Sequence, residues 1–322
     1  MLKRVLSWWL PVLVVFAVFG GSVQAAGSYP ATGLKIICPF GNGGDTDFNT
    51  RLLGAFLHRQ LQLPVKVENI LGDNGIVAMD EFSTAPADGA HLMVAHTSML
   101  FFNEVSGMSS YNLDSFELVA AFAQGSGEVL LVPADSPFKT LADLLNAARE
   151  HPGKISFGTS MGSDSYIFSQ IVEQQRQAVF QLKDAPDSLT RLAMVLDGLV
   201  DAGMSNYRIS RSAIEQGRLR ALAINTEERS PEIPDLPTFK EQGVADFSAN
   251  LVYLLFAPKG TPDELLEQLN AAVREFSAHN EEYRQRSRNY NFNEPLVLNR
   301  AQSVGIARHI RGHVQRLRSY IH

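Results

Sequence analysis

Residues 34–53 read Leu-Lys-Ile-Ile-Cys-Pro-Phe-Gly-Asn-Gly-Gly-Asp-Thr-Asp-Phe-Asn-Thr-Arg-Leu-Leu: a buried strand, a glycine-rich turn and the start of an amphipathic helix. A second strand–loop–helix of this kind recurs at Lys154–Ile171. This unit constrains the fold because the N–H groups of a first helical turn have no intrahelical acceptor, and glycines let an anion approach them. Two copies predict two anion cradles.

The chain opens with Lys3 and Arg4, an apolar run from Trp8 to Phe19, and small residues around Val23-Gln24-Ala25. That order predicts a secretory signal over residues 1–25 and a periplasmic mature chain. The run is too short for a spanning helix, and Pro11, Gly20 and Gly21 interrupt it. Removing the signal's two positive charges takes the formal charge from −6 to −8. An acidic domain with scattered basic residues argues against nucleic acid as a partner. Cys38 is the only cysteine, so a disulfide, a cysteine-based zinc site or a redox pair within one chain is excluded.

Strand-like apolar runs alternate with helical patterns, which predicts α/β architecture with parallel sheets. Strands are expected at Leu34–Cys38, Val65–Val67, His91–Ala95, Phe116–Ala123 and Glu128–Val132. Gln124-Gly-Ser-Gly127 then reads as a hinge or crossover. A second cycle opens on a helix with Thr140 as N-cap and Asp143 in the capping-box position. Strands Lys154–Phe157, Ala178–Leu182, Asp201–Met204 and Leu219–Ile224 follow, and strand Asn250–Ala257 returns the chain to the first unit. Thr261-Pro-Asp-Glu264 reads as a helix start with Thr261 as N-cap. Ile306, Ile310, Val314, Leu317 and Ile321 form one stripe of a last helix that packs on a core. The expected lobes are residues 26–125 with 250–322, and 126–249.

The chemistry-bearing patterns admit competing readings. Gly41-Asn-Gly-Gly-Asp-Thr-Asp47 lacks the third glycine of a dinucleotide fingerprint and the Gly-Lys-Ser/Thr of a P-loop. It is either a tight turn with Thr46 or Asp47 capping the helix, or a carboxylate cradle. A helix start contributes about 0.3–1 kcal/mol to an anion, and each hydrogen bond to a charged group about 1.5–3 kcal/mol. Gly158-Thr-Ser-Met-Gly162 matches the G-x-S-x-G of a hydrolase nucleophile elbow. Asp197 or Asp201, and His279, His309 or His313, supply a triad order. A secreted serine esterase using Ser160 is therefore the competing reading to a second cradle built from Thr159, Ser160 and Ser163. His309-Ile-Arg-Gly-His313 lacks the glutamate of a zinc motif and reads as a solvated face. His96-Thr-Ser98 follows a strand and either reaches a cleft or forms an ordinary polar turn.

Taken in order, a longer set of fragments resembles substrate-binding receptors of the tripartite tricarboxylate transporter family (TctC or Bug type). It includes Tyr29-Pro30, Pro39-Phe40, Gly43-Gly44, Thr46-Asp47, Arg51-Leu52-Leu53, Val67-Glu-Asn69 and Ala85-Pro-Ala-Asp-Gly89. Val132-Pro-Ala-Asp-Ser-Pro-Phe-Lys-Thr-Leu141, His151-Pro-Gly-Lys154, Gly217-Arg-Leu-Arg-Ala-Leu-Ala223, Asp235-Leu-Pro-Thr238 and Phe256-Ala-Pro258 continue it. The resemblance implies a type II periplasmic-binding fold, with two doubly wound lobes and a ligand cleft between them. It also implies a small carboxylate ligand, a two-component membrane permease as partner, no catalysis, no cofactor and no metal; a monomer is expected. Family contacts fall on Phe40, Gly43, Gly44, Thr46 and Asp47, on Thr97 and Ser98, on Thr159, Ser160, Ser163 and Asp164, and on Asn206. A sensor subunit that binds the same acids and docks to a kinase would share these residues.

The departures from the family pattern concern charge. Asp45 stands where a third glycine is usual, Asp73-Asn74 interrupts a usual Gly-Ala-Gly-Gly, and Lys183-Asp-Ala185 lacks the usual glycines after lysine. Carboxylates near a cradle repel a bare trianion. Either the ligand carries an amino group or a bound divalent cation, or these aspartates face solvent.

Overall fold

The computed structural model describes Tyr29, residues 32–244, Phe247 and residues 251–321. The expected signal, residues 1–25, lies outside the described residues. The strands are β1 (Leu34–Cys38), β2 (Val65–Asn69), β3 (His91–His96), β4 (Glu117–Gln124), β5 (Glu128–Pro133), β6 (Ser156–Thr159), β7 (Gln181–Asp184), β8 (Ala202–Asn206), β9 (Leu219–Ile224) and β10 (Val252–Ala257). The helices are α1 (Asp45–Leu61), α2 (Ile76–Ser83), α3 (Thr97–Val105), α4 (Leu141–Glu150), α5 (Asp164–Arg176), α6 (Ser188–Leu196), α7 (Tyr207–Glu215), α8 (Asp263–His279), α9 (Glu281–Asn291) and α10 (Arg300–Arg316).

Among the described residues two five-stranded sheets form, in the orders β2-β1-β3-β10-β4 and β7-β6-β8-β5-β9. The expectation of parallel sheets needs correction, because both are mixed. β1 runs parallel to β2 and β3, whereas β10 is antiparallel to β3 and β4, and β5 is antiparallel to β8 and β9. The reason is connectivity. The chain passes straight from β4 of one sheet to β5 of the other through Gly125–Gly127, and β10 returns to the first sheet from the opposite side.

Successive residues of a strand face opposite sides, so each sheet buries two layers. On β10, Tyr253, Leu255 and Ala257 join Leu53 and Phe56 of α1 and Leu269 and Phe276 of α8. Val252, Leu254 and Phe256 join Met79 of α2, Phe101 of α3 and Val314 of α10. β5 divides likewise: Val129 and Leu131 meet α6 and α7, while Leu130 and Val132 meet α4 and α5. These continuous apolar strands, covered on both faces, are what doubly wound lobes require.

Most predicted ends hold to within a few residues, and the capping box at Thr140 and Asp143 forms. Two did not. The residue before α8 is Pro262, and the Thr261 hydroxyl instead donates to the Pro258 carbonyl. The final helix ends at Arg316, and a 3-10 turn over Leu317–Tyr320 replaces its last turn, leaving Ile321 only partly buried. The sequence also predicts helices Ile76–Thr84 and Asp187–Leu196, which form as α2 and α6, whereas α3, α7 and α9 have no counterpart in the sequence pattern.

Candidate functional site

The starts of α1 and α5 line one cavity of about 50 Å3 between the two lobes. Phe40, Gly44, Asp45, Thr46, Asn74 and His96 reach it from the first lobe. Glu128, Ser163, Asp164, the turn Pro186–Leu189 and Arg191 reach it from the second. In open α/β sheets the strand C-ends and helix starts converge on such a crevice. Its small size means that an occupant larger than a few atoms enters only if the lobes part.

The two helix starts are built differently. Gly43, at φ 85°, supplies the left-handed turn before α1, and Gly44 is an N-cap without a side-chain bond. Asp47 does not cap α1 from the N-cap position. Its carboxylate accepts from the Gly43 N–H (3.0 Å), the Asn69 amide (2.9 Å) and the Arg51 guanidinium (2.9 Å). It braces the turn, and these donors hold it below the usual carboxylate range despite the opposing effect of burial. α5 instead begins with a side-chain cap, the Ser163 hydroxyl accepting from the Tyr166 N–H.

The Asp45 side chain points inward. Its carboxylate accepts from the Asn206 amide of the opposite lobe (3.1 Å) and from the Tyr253 hydroxyl. Burial raises its pKa, and Tyr253 together with the N–H groups of Asp45 and Thr46 pulls it back. Asp73, by contrast, is exposed. Its neighbour Asn74 bridges the lobes by donating to the Gly162 carbonyl (2.8 Å). Gly162 has φ 75°, and a Cβ there would collide with Asn103 Oδ1.

Three further buried charged groups complete the cleft. The Arg191 guanidinium donates to Met204 and Ala185 carbonyls and to the Ser188 hydroxyl, and lies 3.7 Å from Glu128 Oε2. Glu128 Oε1 accepts from Ser188, whereas its Oε2 is buried without a hydrogen-bond partner. Asp164 accepts from the Asn225 amide (3.4 Å) and sits beside Ser98. Burial drives both of these carboxyls up, against the pull of Arg191. His96 is pushed down to about 3, by burial first and then by Arg191, so the ring is neutral. Its Nδ1 accepts from the Met99 N–H and caps α3, which places the ring proton on Nε2.

Of the sequence-derived contacts, Phe40, Gly44, Thr46, Ser163 and Asp164 line the cavity. Asn206 reaches it through Asp45. Gly43 and Asp47 form the supporting turn, and the Thr97 hydroxyl accepts from Val252 N–H in the core. Thr159 bonds to the Ser165 hydroxyl (2.8 Å). Ser160 Oγ and Ser98 Oγ are buried without a hydrogen-bond partner. The Ser160 hydroxyl thus has no base beside it, and Asp201 is engaged with Ser156, so the triad does not assemble. Sequence reasoning missed Glu128, Arg191, Tyr253 and the turn before α6. Glu128 and Tyr253 sit within apolar strands and Arg191 within an amphipathic helix, where nothing marks a polar side chain as cleft-facing. Among the described residues no three His, Cys, Asp or Glu side chains are grouped to hold a metal ion.

The model of the tripartite tricarboxylate transporter family receptor matches residues 50–322. The chain belongs to this family. BugT of Bordetella pertussis is 29% identical over 272 residues, covering 83% of each chain. MatC from Rhodopseudomonas palustris, solved with bound malate, superposes with TM-score 0.80 at 26% identity, over 91% of this receptor and 100% of that chain. A second R. palustris structure, Rpa4515 with adipate, has TM-score 0.78 at 24% identity, over 91% and 97% of the two chains. The receptor is therefore a solute-binding protein with two α/β lobes, and not an enzyme. No described helix is long and apolar enough to cross a membrane.

Proposed function

We propose that this receptor works in the periplasm, binds a small organic acid between its lobes and delivers it to a two-component membrane permease. The observation that carries the reading is the convergence of two helix starts from opposite lobes on one cleft. First-turn N–H groups bind a carboxylate without a fixed counter-ion, and shielding by lobe closure strengthens those bonds. MatC, an overall match in fold, is a malate-bound relative, and the N-terminal Lys3–Ala25 segment supplies the export signal. The contacts we assign are Phe40, Gly44, Thr46, Ser163 and Asp164, with Ser160 and Ser98 offering buried hydroxyls. Residues 26–125 with 250–322 and residues 126–249 move as the two bodies about Gly125–Gly127.

Thermal shift with a panel of small carboxylic acids tests the reading. Stabilisation by at least one acid, reduced in Thr46→Ala and Ser160→Ala, is expected. Equal stabilisation of wild type and both variants excludes these side chains as contacts.

A further inference from the structure

Two side chains of the first lobe carry hydrogen bonds across the cleft to the second. Asp45 Oδ2 accepts from the Asn206 amide (3.1 Å) at the start of α7, while the Tyr253 hydroxyl of β10 holds the same oxygen from its own lobe. Asn74 crosses at a second point and donates to the Gly162 carbonyl (2.8 Å), in the loop before α5. Glycine at either position could form neither bond. A further bond, from the Gln174 amide to the Ser319 carbonyl (3.3 Å), is exposed, where water competes with it.

The partners at both points are fixed in place by bonds within their own lobes. Asn74 sits at φ 50° and ψ 40°, in the left-handed region that asparagine tolerates. Its amide also donates to Asn103 Oδ1 (3.1 Å), and the Asn103 amide donates back to the Asn74 carbonyl (3.0 Å). In the second lobe, Asn206 Oδ1 accepts from the Ser126 hydroxyl (2.9 Å) and the Arg208 N–H (2.9 Å), which leaves its amide to Asp45. Ser126 belongs to the Gly125–Gly127 crossover, so a continuous chain of bonds runs from Tyr253 through Asp45 and Asn206 to the segment joining the lobes. Side chains ordered in advance lose little rotamer freedom when they meet. The fit is also close: a Cβ at Gly162 would collide with Asn103 Oδ1 of the first lobe.

We propose that Asp45 and Asn74 form an interlobe latch that keeps the receptor closed before any solute arrives. The latch governs the cleft of the receptor reading above and rests on it, since a solute enters only once both bonds have broken. One such hydrogen bond shifts an open–closed ratio by about 2- to 10-fold. The two bonds are made by separate elements and break in one rigid-body opening, so their factors multiply.

Small-angle X-ray scattering tests this on protein stripped of bound solute by denaturation and refolding, with native mass spectrometry confirming that nothing remains bound. Solute-free wild type is expected to scatter as the closed structure does. The double variant Asp45→Ala with Asn74→Gly is expected to show a larger radius of gyration, with each single variant between the two. Cooperative melting of each variant separates lobe opening from unfolding. Should the double variant fail to melt cooperatively, Asn74→Gly alone decides, because glycine suits φ 50° at least as well as asparagine; it too must be more expanded than wild type. Solute-free wild type already as expanded as the variants overturns the latch, and so do variants as compact as wild type. Either result leaves the receptor reading intact, because no solute takes part in the measurement.

Discussion

The two lobes repeat one sheet order, yet their cleft-facing helices begin in opposite ways. In both, a parallel trio of strands is completed by a strand that runs the other way, β10 in one and β5 in the other. α5 starts conventionally, with Ser163 accepting from its N3 amide. α1 starts with a bare glycine and is served by an acidic side chain from its own first residue. Identical topology thus leaves the chemistry of the cleft free to be set by two or three residues. In this chain those residues make one wall a capped helix and the other a tethered anion.

The comparison is most severely tested at Arg191, a buried cation that faces the acids of both lobes. At pH 9, above the raised carboxyl values, Arg191→Met leaves Glu128 and Asp164 uncompensated and is expected to cost about 3–5 kcal/mol. Urea denaturation reads this directly; a loss below about 1 kcal/mol would show that the cluster is stabilised by protonation instead. Acidity gives the next largest effect. Glu128 is raised to about 8 and Asp164 to about 6, both by burial foremost, with Asp45, His96 and Arg191 facing them. Between the unfolded carboxylate values and these, the folded protein holds more protons than the unfolded chain, so stability falls as pH rises. The slope is at most about 1.4 kcal/mol per pH unit for each proton. Melting temperature should decline from pH 5 to 8, and Glu128→Gln should flatten the decline; an unchanged profile would remove Glu128 as its source.

Smaller changes sharpen the contrast between the helix starts. Ser163→Ala removes a working cap and should destabilise by about 1 kcal/mol. Gly44→Ser supplies α1 with the cap it lacks, at φ −72° and ψ 171° where serine fits, and should stabilise by a few tenths of a kcal/mol. Matching responses of the two sites in calorimetric melting would mean that the starts are equivalent after all. Ser160→Ala should change stability least, since its hydroxyl has no partner to lose; a drop above about 1 kcal/mol would assign it a structural role.

Much of this was legible in the sequence, and for physical reasons. The strand–turn–helix units announce themselves because buried strands must be apolar and tight turns need glycine. The capping box at Thr140 is local, and so is the crossover at Gly125–Gly127. What a single sequence does not carry is direction across space. The parallel expectation failed because β5 and β10 exchange between sheets, a property of connectivity rather than of residue pattern. Asp45 and Asp73 look alike as acidic departures from a glycine-rich theme, yet one faces Asn206 and the other faces solvent. Glu128 opens an apolar strand and Arg191 lies within an amphipathic helix, so only packing reveals that they meet. His96 was visible as a strand end, but its neutrality depends on the burial that α3 provides.

The central claim is that a small molecule lodges between the starts of α1 and α5. Native mass spectrometry of the protein, isolated without refolding, tests it most directly when paired with Gly44→Leu. A Cβ at Gly44 comes to 4.0 Å from Leu189 of the facing lobe, so the leucine side chain is expected to obstruct the cleft. The wild-type protein is expected to carry one small molecule that the folded variant lacks. A bare wild type, or a variant that retains the same mass, would contradict the account.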